Sequence, residues 1–492
     1  MIKKVGEEHM MDQSTQVLVI GGGPGGSTAA TLLAREGFTV TLMEKEVFPR
    51  YHIGESLLPS CLPIFDLLGA REKIDAYGFQ VKRGGYFDWG GEQWDLNFGN
   101  QFEDLDFSER FVDNNYGYQV VRADFDQLLL EHAKSQGVTV REGVEVKRLI
   151  FEGDRPRSAV WSPAGRNSGN QEHEIGFDFL IDASGRAGVM TTRHLHARRH
   201  NKSFKNIAVW GYWKGAQKLP AGPEGAIAIC SVPDGWFWGI PLHDGNLSVG
   251  LINHKDTFNS KRKGGVSPDQ IYHETIRECP VIADLLAPAE LVTPLRIEQD
   301  YSYAADRFTG PGYFLVGDAA CFLDPLLSTG VHLATYSAML AAASLASILR
   351  GEVNESEAED FYERTYRQSY LRLLVVVASL YQRYNGKDSY FWEAQRLTLH
   401  DCDATELKKA FVDVVSGIED LRDAQATLEL ALDAAGKVVA EQFRSKESFD
   451  AISPEERELM QARMQFFHSA MVGQDVQGLY VMTKPRLCLA HQ

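Results

Sequence analysis

Apolar and polar residues change their spacing twice along the chain, and each spacing indicates a different structure. The run VLVI at 17–20 is continuous and apolar, which is typical of a strand buried in a parallel sheet. Residues 84–115 and 200–300 alternate aromatic and polar positions, as in GGYFDWG and NLSVGLIN, which indicates an antiparallel sheet. After residue 351 apolar residues recur every three or four positions, which predicts helices.

A glycine-rich turn follows the first strand directly. The sequence GGGPGG places Gly21, Gly23 and Gly26 in the spacing G-x-G-x-x-G, and STAATLLARE after it predicts a helix. The first glycine permits a tight turn, the second lets the backbone approach a pyrophosphate, and the third lets the helix pack on the strand. A second strand, FTVTLME, ends at Glu44, where a carboxylate can accept a hydrogen bond from a ribose hydroxyl. The set predicts a dinucleotide site at the N-terminus of the helix, with an ordinary glycine-rich loop as the alternative.

A second signature lies much later in the chain. YFLVGD at 313–318 predicts a strand ending in Gly317 and Asp318, and VHLATYSAMLAAASLASIL beyond it has the length and composition of a buried helix. This arrangement resembles the second flavin motif of the aromatic-hydroxylase-like flavoproteins, and VVRADFDQLLL at 120–130 and LIDASGR at 180–186 also stand where that family has them. The resemblance implies that FAD is the cofactor. The residues it implies for FAD are Gly21, Gly23, Gly26, Glu44, Arg50, Arg122, Asp318, Pro325 and Gly330.

The patterns and the resemblance together predict an α/β fold class. We expect a Rossmann-like FAD-binding domain of the aromatic-hydroxylase and glutathione-reductase type, an inserted antiparallel sheet on the substrate side, and a helical C-terminal region. The predicted segments are an N-terminal tail (1–14), a discontinuous FAD-binding domain (15–80, 116–200 and 301–350), the substrate-side sheet (81–115 and 201–300) and the helical region (351–492).

The octapeptide DGWFWGIP at 234–241 marks a subgroup of these flavoproteins. Trp236, Trp238, Ile240 and Pro241 match W-x-W-x-I-P, which distinguishes flavin-dependent halogenases from the monooxygenases of the same fold, so the chain resembles those halogenases. The resemblance implies that the tryptophans form a wall over the reactive face of the flavin, which excludes substrate while halide still reaches it. Two tryptophans packed in the core of a hairpin are the alternative.

Lys82 is the predicted catalytic residue. HIGESLLP at 52–59 and YGFQVKRGG at 77–85 match the halogenase pattern in which a lysine lies two residues before a glycine. The resemblance implies that this amine hydrogen-bonds hypohalous acid, or becomes a haloamine, and presents electrophilic halogen to the substrate. A solvated surface lysine is the alternative.

Ser328, Thr329 and Gly330 stand at the predicted start of a helix. Backbone N–H groups at a helix N-terminus attract anions, so chloride or bromide is expected at Thr329 and Gly330, and a plain N-cap is the compatible alternative. Leu327 stands where halogenases of free tryptophan have a glutamate. The resemblance therefore favours the branch that halogenates phenol or pyrrole rings, often tethered to a carrier protein.

Three further features are weaker signals. An aromatic pocket over the substrate is one interpretation of Tyr381, Tyr384, Tyr390, Phe391 and Trp392, and core packing is the other. The basic run ARRHNKSFK at 197–205 suits an acidic carrier protein, with a solvated loop as the alternative. Asp300 stands where a covalent flavin tether is conceivable, but we do not predict one.

Composition excludes several classes of protein. The net charge of −17 argues against bulk binding to nucleic acid or anionic membranes. The six cysteines form no C-x-x-C pair and have no His-rich partner spacing, so neither a disulfide framework nor a metal site is expected. No signal peptide or continuous membrane-spanning apolar stretch is visible, which predicts a cytoplasmic protein.

The resulting hypothesis is a two-component halogenase. FADH2 from a separate flavin reductase, oxygen and a halide held near Thr329 would give hypohalous acid, which passes the tryptophans to Lys82 and halogenates an electron-rich ring, for which we expect a phenol. The alternatives are an aromatic monooxygenase or flavin reductase of the same fold, which would turn over without halide, and a flavin-binding interaction protein without chemistry.

Overall fold

The computed structural model describes residues 13–98, 115–165, 172–384, 420 and 478–491. Nine α-helices lie within these ranges: α1 (Pro24–Arg35), α2 (Cys61–Leu68), α3 (Arg71–Tyr77), α4 (Arg122–Ser135), α5 (Lys255–Lys263), α6 (Pro268–Glu278), α7 (Pro280–Leu286), α8 (Thr329–Arg350) and α9 (Glu355–Tyr384). The strands are β1 (Gln13–Ile20), β2 (Val40–Met43), β3 (Gln80–Lys82), β4 (Gly84–Trp89), β5 (Glu92–Asn97), β6 (Gly117–Gln119), β7 (Thr139–Arg141), β8 (Val144–Glu152), β9 (Arg155–Pro163), β10 (His173–Asp182), β11 (Arg198–Lys214), β12 (Ile227–Val232), β13 (Gly235–Pro241), β14 (Asn246–His254), β15 (Glu290–Leu291), β16 (Arg296–Ala305), β17 (Thr309–Gly310), β18 (Tyr313–Leu315), β19 (Cys321–Phe322), β20 (Leu479–Met482) and β21 (Cys488–His491).

The first sheet carries the nucleotide-binding signature. Its order is β17-β18-β10-β1-β2-β7, and the five strands from β18 to β7 run parallel. Residues 17–20 of β1 are all buried, as expected for a central parallel strand. Helix α1 connects β1 to β2, so the glycine turn lies at the carboxyl end of the sheet, where α/β folds bind ligands.

Helix α8 runs through the core of this domain. By length and composition it is the one helix in the described part of the chain that could cross a membrane, yet 89% of its most apolar stretch is buried inside the protein. It packs against α1 and α9, and Gly351 ends it in the left-handed region with φ +71°. Its apolar composition is therefore explained by its place in the core.

The second sheet contains the W-x-W-x-I-P segment. Its order is β19-β16-β11-β14-β13-β12-β4-β5, with β15 paired to β11. Side chains of β13 alternate: Trp236, Trp238 and Ile240 face the main core, whereas Phe237 packs with Tyr272 of α6 in a second core. The period of two in the sequence thus arises because successive side chains of this strand pack into different cores on the two faces of the sheet.

The described structure departs from the sequence predictions in three places. The second sheet is mixed, since β12 and β4 pair in parallel. Strand β16 belongs to it through β11 and β19, so the sheet extends past residue 300 into the segment assigned to the FAD-binding domain. Strands β20 and β21 form a hairpin within the region expected to be helical, because these residues lie beyond the stretch that has helical periodicity.

Candidate functional site

A cavity of about 730 Å³ is lined by residues of both sheets. Gly21, Gly23, Glu44 and Arg50 line one part of it. The other part is lined by residues of the second sheet and of the loop before α8, including Trp210, Trp238, Ile240, Asp324, Pro325, Ser328, Thr329 and Gly330. The volume and the mixture of apolar walls with a few polar groups suit a cofactor-sized ligand.

The three motif glycines have separate reasons to be glycine. Gly21 has φ +104°, and a Cβ there would overlap the carbonyl of Ala183. A Cβ at Gly26 would overlap the carbonyl of Gly21, so α1 can pack on β1 only without a side chain. At Gly23 a Cβ would meet only Arg50 Nη2, at 3.4 Å, so the backbone at the start of α1 is open to the cavity. This open backbone at a helix N-terminus fits a pyrophosphate.

Glu44 anchors the glycine turn while it borders the cavity. Its Oε2 accepts a hydrogen bond from Gly22 N at 2.6 Å, and its Oε1 accepts one from Glu46 N at 2.8 Å. Each carboxylate oxygen can accept a second bond. Glu44 therefore has acceptor capacity left at the border of the cavity, and its bond to a ribose hydroxyl stays a prediction.

Arg50 and Arg122 converge on Asp126, which the sequence analysis did not single out. Arg122 donates to both oxygens of Asp126, at 2.8 and 2.9 Å, and Arg50 Nη1 lies 3.0 Å from Asp126 Oδ2. Although burial opposes ionisation, the neighbouring Arg122 holds the pKa of Asp126 below its ordinary value. The sequence could have indicated the contact between Arg122 and Asp126, because residues four apart lie on the same face of a helix.

Asp318 lies in the turn Gly317–Ala319 after β18 and lines the cavity. Burial raises the pKa of its carboxyl, and Arg186, Arg122 and Arg198 act against that rise. A half-buried carboxyl in such a place suits hydroxyl ligands, such as those of a ribityl chain.

The segment from Asp324 to Gly330, which includes the first two residues of α8, borders the cavity. Ser328 has φ +60°, a left-handed conformation that is costly for a residue with a side chain, and it forms the N-cap of α8 without a side-chain capping bond. Thr329 is buried, whereas Gly330 is exposed to the cavity and a Cβ on it would meet nothing within 4 Å. Space for a halide is therefore present at the start of α8. Leu327 is buried.

Lys82 is buried, which excludes the solvated-surface alternative. It is 2% exposed, and its Nζ donates to Leu57 O at 3.3 Å and to Ser328 Oγ at 3.5 Å. No carboxylate within the described residues forms an ion pair with it. Burial accordingly lowers the pKa of Lys82 to about 7. Lys82 does not line the cavity itself, but Ser328, which does, separates the two.

The two tryptophans are held separately. Trp238 borders the cavity and donates from Nε1 to Ser248 Oγ at 3.2 Å. Trp236 is 1% exposed, is not among the cavity-lining residues, and donates to Tyr381 OH at 2.7 Å. Their ring centroids are 6.2 Å apart. The structure therefore places Trp238 at the cavity and Trp236 behind it.

Tyr381 joins α9, which is the most C-terminal of the nine described helices and is called the C-terminal helix below, to this site. Its hydroxyl donates to Asp324 Oδ2 at 2.9 Å and accepts from Trp236, and Asn206 Nδ2 lies 3.2 Å from it. Burial raises the pKa of Asp324 to about 7. Of the five aromatic residues considered for a substrate pocket, Tyr381 instead connects α9 to Asp324 and Trp236 through its hydroxyl. The side chain of Tyr384, and residues Tyr390, Phe391 and Trp392, lie outside the described residues.

The basic run at 197–205 is partly engaged within the fold. Arg198 stacks on Tyr303 at 4.0 Å and donates to Arg186 O at 2.7 Å. Arg199 forms an ion pair with Asp306 at 2.7 Å. These contacts leave less free positive charge for a carrier protein than the sequence suggests. The side chain of Asp300 lies outside the described residues.

Glu55, Tyr212 and Tyr51 form a hydrogen-bonded chain at the cavity that sequence reasoning missed. Tyr212 OH donates to Glu55 Oε1 at 2.6 Å, and the hydroxyls of Tyr51 and Tyr212 are 3.0 Å apart. Burial raises the pKa of Glu55 to about 7. Because Glu55 and Tyr212 are 157 residues apart in sequence, no local pattern indicates their contact.

Comparisons with known proteins agree with this site. The family model described as tryptophan halogenase matches residues 16–115 and 109–428. A tryptophan 2-halogenase of Chondromyces crocatus is 48% identical over 421 residues, which are 84% of this chain and 78% of that protein. The flavin-dependent halogenase armH1 of Armillaria mellea is 38% identical over 458 residues, which are 88% of this chain and 84% of that protein.

A solved structure agrees as well. The myxobacterial chondrochloren halogenase CndH, an FAD-dependent halogenase, superposes with a TM-score of 0.69 at 37% identity, over 82% of this chain and 90% of that one. The predicted fold class, the FAD cofactor and the halide co-substrate are thereby confirmed. The chain belongs to the flavin-dependent halogenases, enzymes of the FAD-dependent oxidoreductase type.

Proposed function

We propose that this halogenase places chlorine or bromine on an electron-rich aromatic ring and that Lys82 delivers the halogen. The observation that carries the proposal is the position of Lys82. Its buried amine has no carboxylate partner among the described residues and lies 3.5 Å from Ser328 Oγ, at the border of the cavity. A lysine paired with a carboxylate would stay protonated, whereas a pKa of about 7 leaves a large neutral fraction near neutral pH. The neutral amine is the form that reacts with or accepts from hypohalous acid.

The remaining residues take consistent roles in this proposal. Reduced FAD, when bound, supplies with oxygen and halide the hypohalous acid that the reaction uses. The backbone at Thr329 and Gly330 holds the halide by the positive end of α8. Trp238 covers the part of the cavity next to Ile240 and keeps the aromatic substrate from entering it. Ser328 lies between the cavity and Lys82 and orients the amine.

The proposed substrate is a ring activated by its own heteroatom. Leu327 offers no carboxylate that could accept a proton at the position before Ser328. Such a site favours rings that need less assistance, namely phenols and pyrroles, whereas the support for an indole comes from a relative. One relative is named a tryptophan 2-halogenase, which supports an indole as the substrate. Another, 34% identical, is named a sulochrin halogenase, which supports a phenol. The phenol expected from the sequence thus stays in the proposal beside indole.

Two partners belong to the proposal. One is a separate flavin reductase that supplies FADH2. The sequence contains a single dinucleotide fingerprint, which is assigned to FAD, and no second fingerprint for NAD(P)H. The other is the substrate itself, either free or tethered to a carrier protein. Because Arg198 and Arg199 are bonded within the protein, they offer less charge to an acidic carrier protein, which favours a free substrate.

Mass spectrometry of bromination reactions tests the proposal. Wild type, Lys82→Ala and the control Lys214→Ala, at an exposed position, are supplied with FAD, a flavin reductase, NADH, oxygen and bromide. The substrates are free tryptophan, indole, a panel of phenols, and a tyrosyl thioester on a carrier protein. We expect brominated product, visible by its isotope doublet, from wild type and Lys214→Ala and none from Lys82→Ala at unchanged FAD binding.

The alternatives give different products. A monooxygenase would give hydroxylated product that does not depend on bromide or on Lys82. A reductase would add hydrogen to the substrate, and a non-enzymatic flavin protein would bind FAD without product. Bromination by Lys82→Ala at the wild-type rate would contradict the role of Lys82 even if the wild-type product is correct.

A further inference from the structure

A directional chain of hydrogen bonds runs along the wall of the cavity and ends at Glu55. Tyr212 donates its single hydroxyl proton to Glu55 Oε1 at 2.6 Å, so in the 3.0 Å contact between the two phenols Tyr51 must be the donor. Tyr51 OH in turn accepts from Trp210 Nε1 at 2.6 Å. Every donor in the chain therefore points towards Glu55.

The inner end of this chain carries an unpaired oxygen. Glu55 is 3% exposed and lines the cavity, and its Oε2 is buried without a hydrogen-bond partner among the described residues. A buried carboxylate with an unpaired oxygen is unfavourable, whereas a carboxylic acid at this position is neutral and has a proton that it can donate. A buried oxygen without a partner indicates that it either contacts a bound ligand or carries a proton itself.

Glu55 lies beside the strand that carries the tryptophans. In the second sheet Tyr212 of β11 is opposite Ser248 of β14, which is opposite Ile240 of β13. Ser248 accepts a hydrogen bond from Trp238, and its hydroxyl is close enough to Glu55 to lower the pKa of that carboxyl. The chain thus ends at the part of the cavity bordered by Trp238 and Ile240.

The groups around Glu55 keep a proton exchangeable near neutral pH. Burial raises the pKa of Glu55 to about 7, Ser248, Tyr212 and Arg122 lower it, and Asp244 raises it. At the outer end, Tyr51 is 40% exposed and the guanidinium of Arg296 stacks 3.6 Å from its ring centre. Tyr51 also lines the cavity, so the outer phenol is the more accessible end of the chain and the inner carboxyl the less accessible end.

The proposed reaction requires such a proton. Conversion of FADH2, O2, a halide ion and an arene into FAD, an aryl halide and two water molecules takes up one proton in each turnover. A titratable side chain on the cavity wall can supply that proton where the reaction takes place.

We propose that Glu55 is the proton donor of the flavin cavity and that Tyr212 and Tyr51 return the proton from the surface. This inference rests on the proposed function. The proton leaves Glu55 Oε2; Tyr212 passes its hydroxyl proton to Oε1 as it receives that of Tyr51, and Tyr51 receives one from water. Rotation of the carboxyl group and of the two hydroxyls then restores the starting state, with the proton on Oε2 and both phenols donating towards Glu55. Each phenol gains a proton as it loses one, so neither becomes charged and no electrons move.

Infrared titration of the protein without flavin tests the inner end of the chain. Glu55 and Asp324 both have a pKa raised to about 7, so we expect two protonated carboxyl contributions that disappear as pH rises through about 7 in wild type. The contribution of Glu55 should be lost in Glu55→Gln and kept in Asp324→Asn and in the control Glu92→Gln, at an exposed position. A band unchanged by Glu55→Gln would overturn the assignment of the proton to Glu55.

Single-turnover halogenation tests the whole chain. Tyr212→Phe and Tyr51→Phe keep the rings and remove the relay, so we expect loss of about 10²-fold or more in rate with unchanged FAD affinity and a smaller solvent deuterium effect. The control Tyr77→Phe, 44% exposed, should match wild type. If Glu55→Gln does not fold, the tyrosine variants still decide. Wild-type rates in both would overturn the inference and leave the proposed function intact; no halogenated product from wild type would refute the proposed function and the inference together.

Discussion

Lys82 Nζ lies 3.5 Å from Ser328 Oγ, and both side chains are buried although 246 residues separate them in sequence. Ser328 makes this contact from a backbone conformation with φ +60°. The serine therefore pays a conformational cost, of about 1 kcal/mol, to place a hydroxyl between the cavity and the amine.

Substitution of Ser328 separates these two effects. Ser328→Ala and Ser328→Gly both remove the hydroxyl, but only glycine relieves the left-handed backbone, so we expect Ser328→Gly to be about 1 kcal/mol more stable than Ser328→Ala. Both should bind FAD normally and halogenate more slowly than wild type. Chemical denaturation and product formation measure the two effects, and equal stability of the variants would show that the conformation carries no strain.

The buried amine of Lys82 should give the protein a characteristic dependence of stability on pH. Since burial lowers the pKa of Lys82 from 10.5 to about 7, the unfolded state binds one more proton than the folded state between these values. The free energy of unfolding should therefore rise with pH across this window. In Lys82→Met that rise should be missing and the variant should be more stable near neutral pH. Urea denaturation of both proteins at several pH values checks the difference, and parallel curves would contradict a neutral buried amine.

Gly250 should be required for the position of Trp238. A Cβ at Gly250 would overlap the indole ring of Trp238, which lies against this glycine from the neighbouring strand. We expect Gly250→Ala to lower the free energy of unfolding by about 1–3 kcal/mol and to change the tryptophan fluorescence. Gly239→Ala is the matched control, because its Cβ would meet Ala228 at an ordinary 3.4 Å on the other face of β13. Equal effects of the two substitutions would show that the ring moves without cost.

Tyr381→Phe should loosen the C-terminal helix from the site. It leaves the buried Asp324 and Trp236 without their shared partner, which we expect to cost about 1–3 kcal/mol. A double-mutant cycle with Trp236→Phe measures the coupling through the hydroxyl. Additive effects would mean that Tyr381 and Trp236 do not stabilise each other.

The parts of the site that the sequence predicted are those built from neighbours in the chain. Gly21, Gly23 and Gly26 act within one turn, and Thr329 and Gly330 act within the first turn of α8, so spacing alone indicates their geometry. Trp238 was placed over the cavity by its motif, but the same motif did not indicate that Trp236 lies behind it.

The missed parts depend on contacts between distant segments. Asp126 could have been found from its helix spacing to Arg122, whereas Tyr381 meets Trp236 across 145 residues. The hairpin of β20 and β21 was missed because two four-residue strands give too little alternation to identify. Such features depend on tertiary packing, which a single sequence does not encode in any local period.

The separate supports of Trp236 and Trp238 have a consequence for redesign of the enzyme. Both tryptophans belong to β13, but Trp238 donates to Ser248 within the second sheet, whereas Trp236 donates to Tyr381 of α9. The two N–H groups therefore have separate partners although the rings are neighbours, and a smaller residue at 238 would open the cavity to substrate while the hydrogen bond between Trp236 and α9 is kept. Under the proposed function, a route from halogenation towards direct oxygen transfer begins at Trp238, whereas changes at Trp236 would mainly affect how firmly the C-terminal helix is attached.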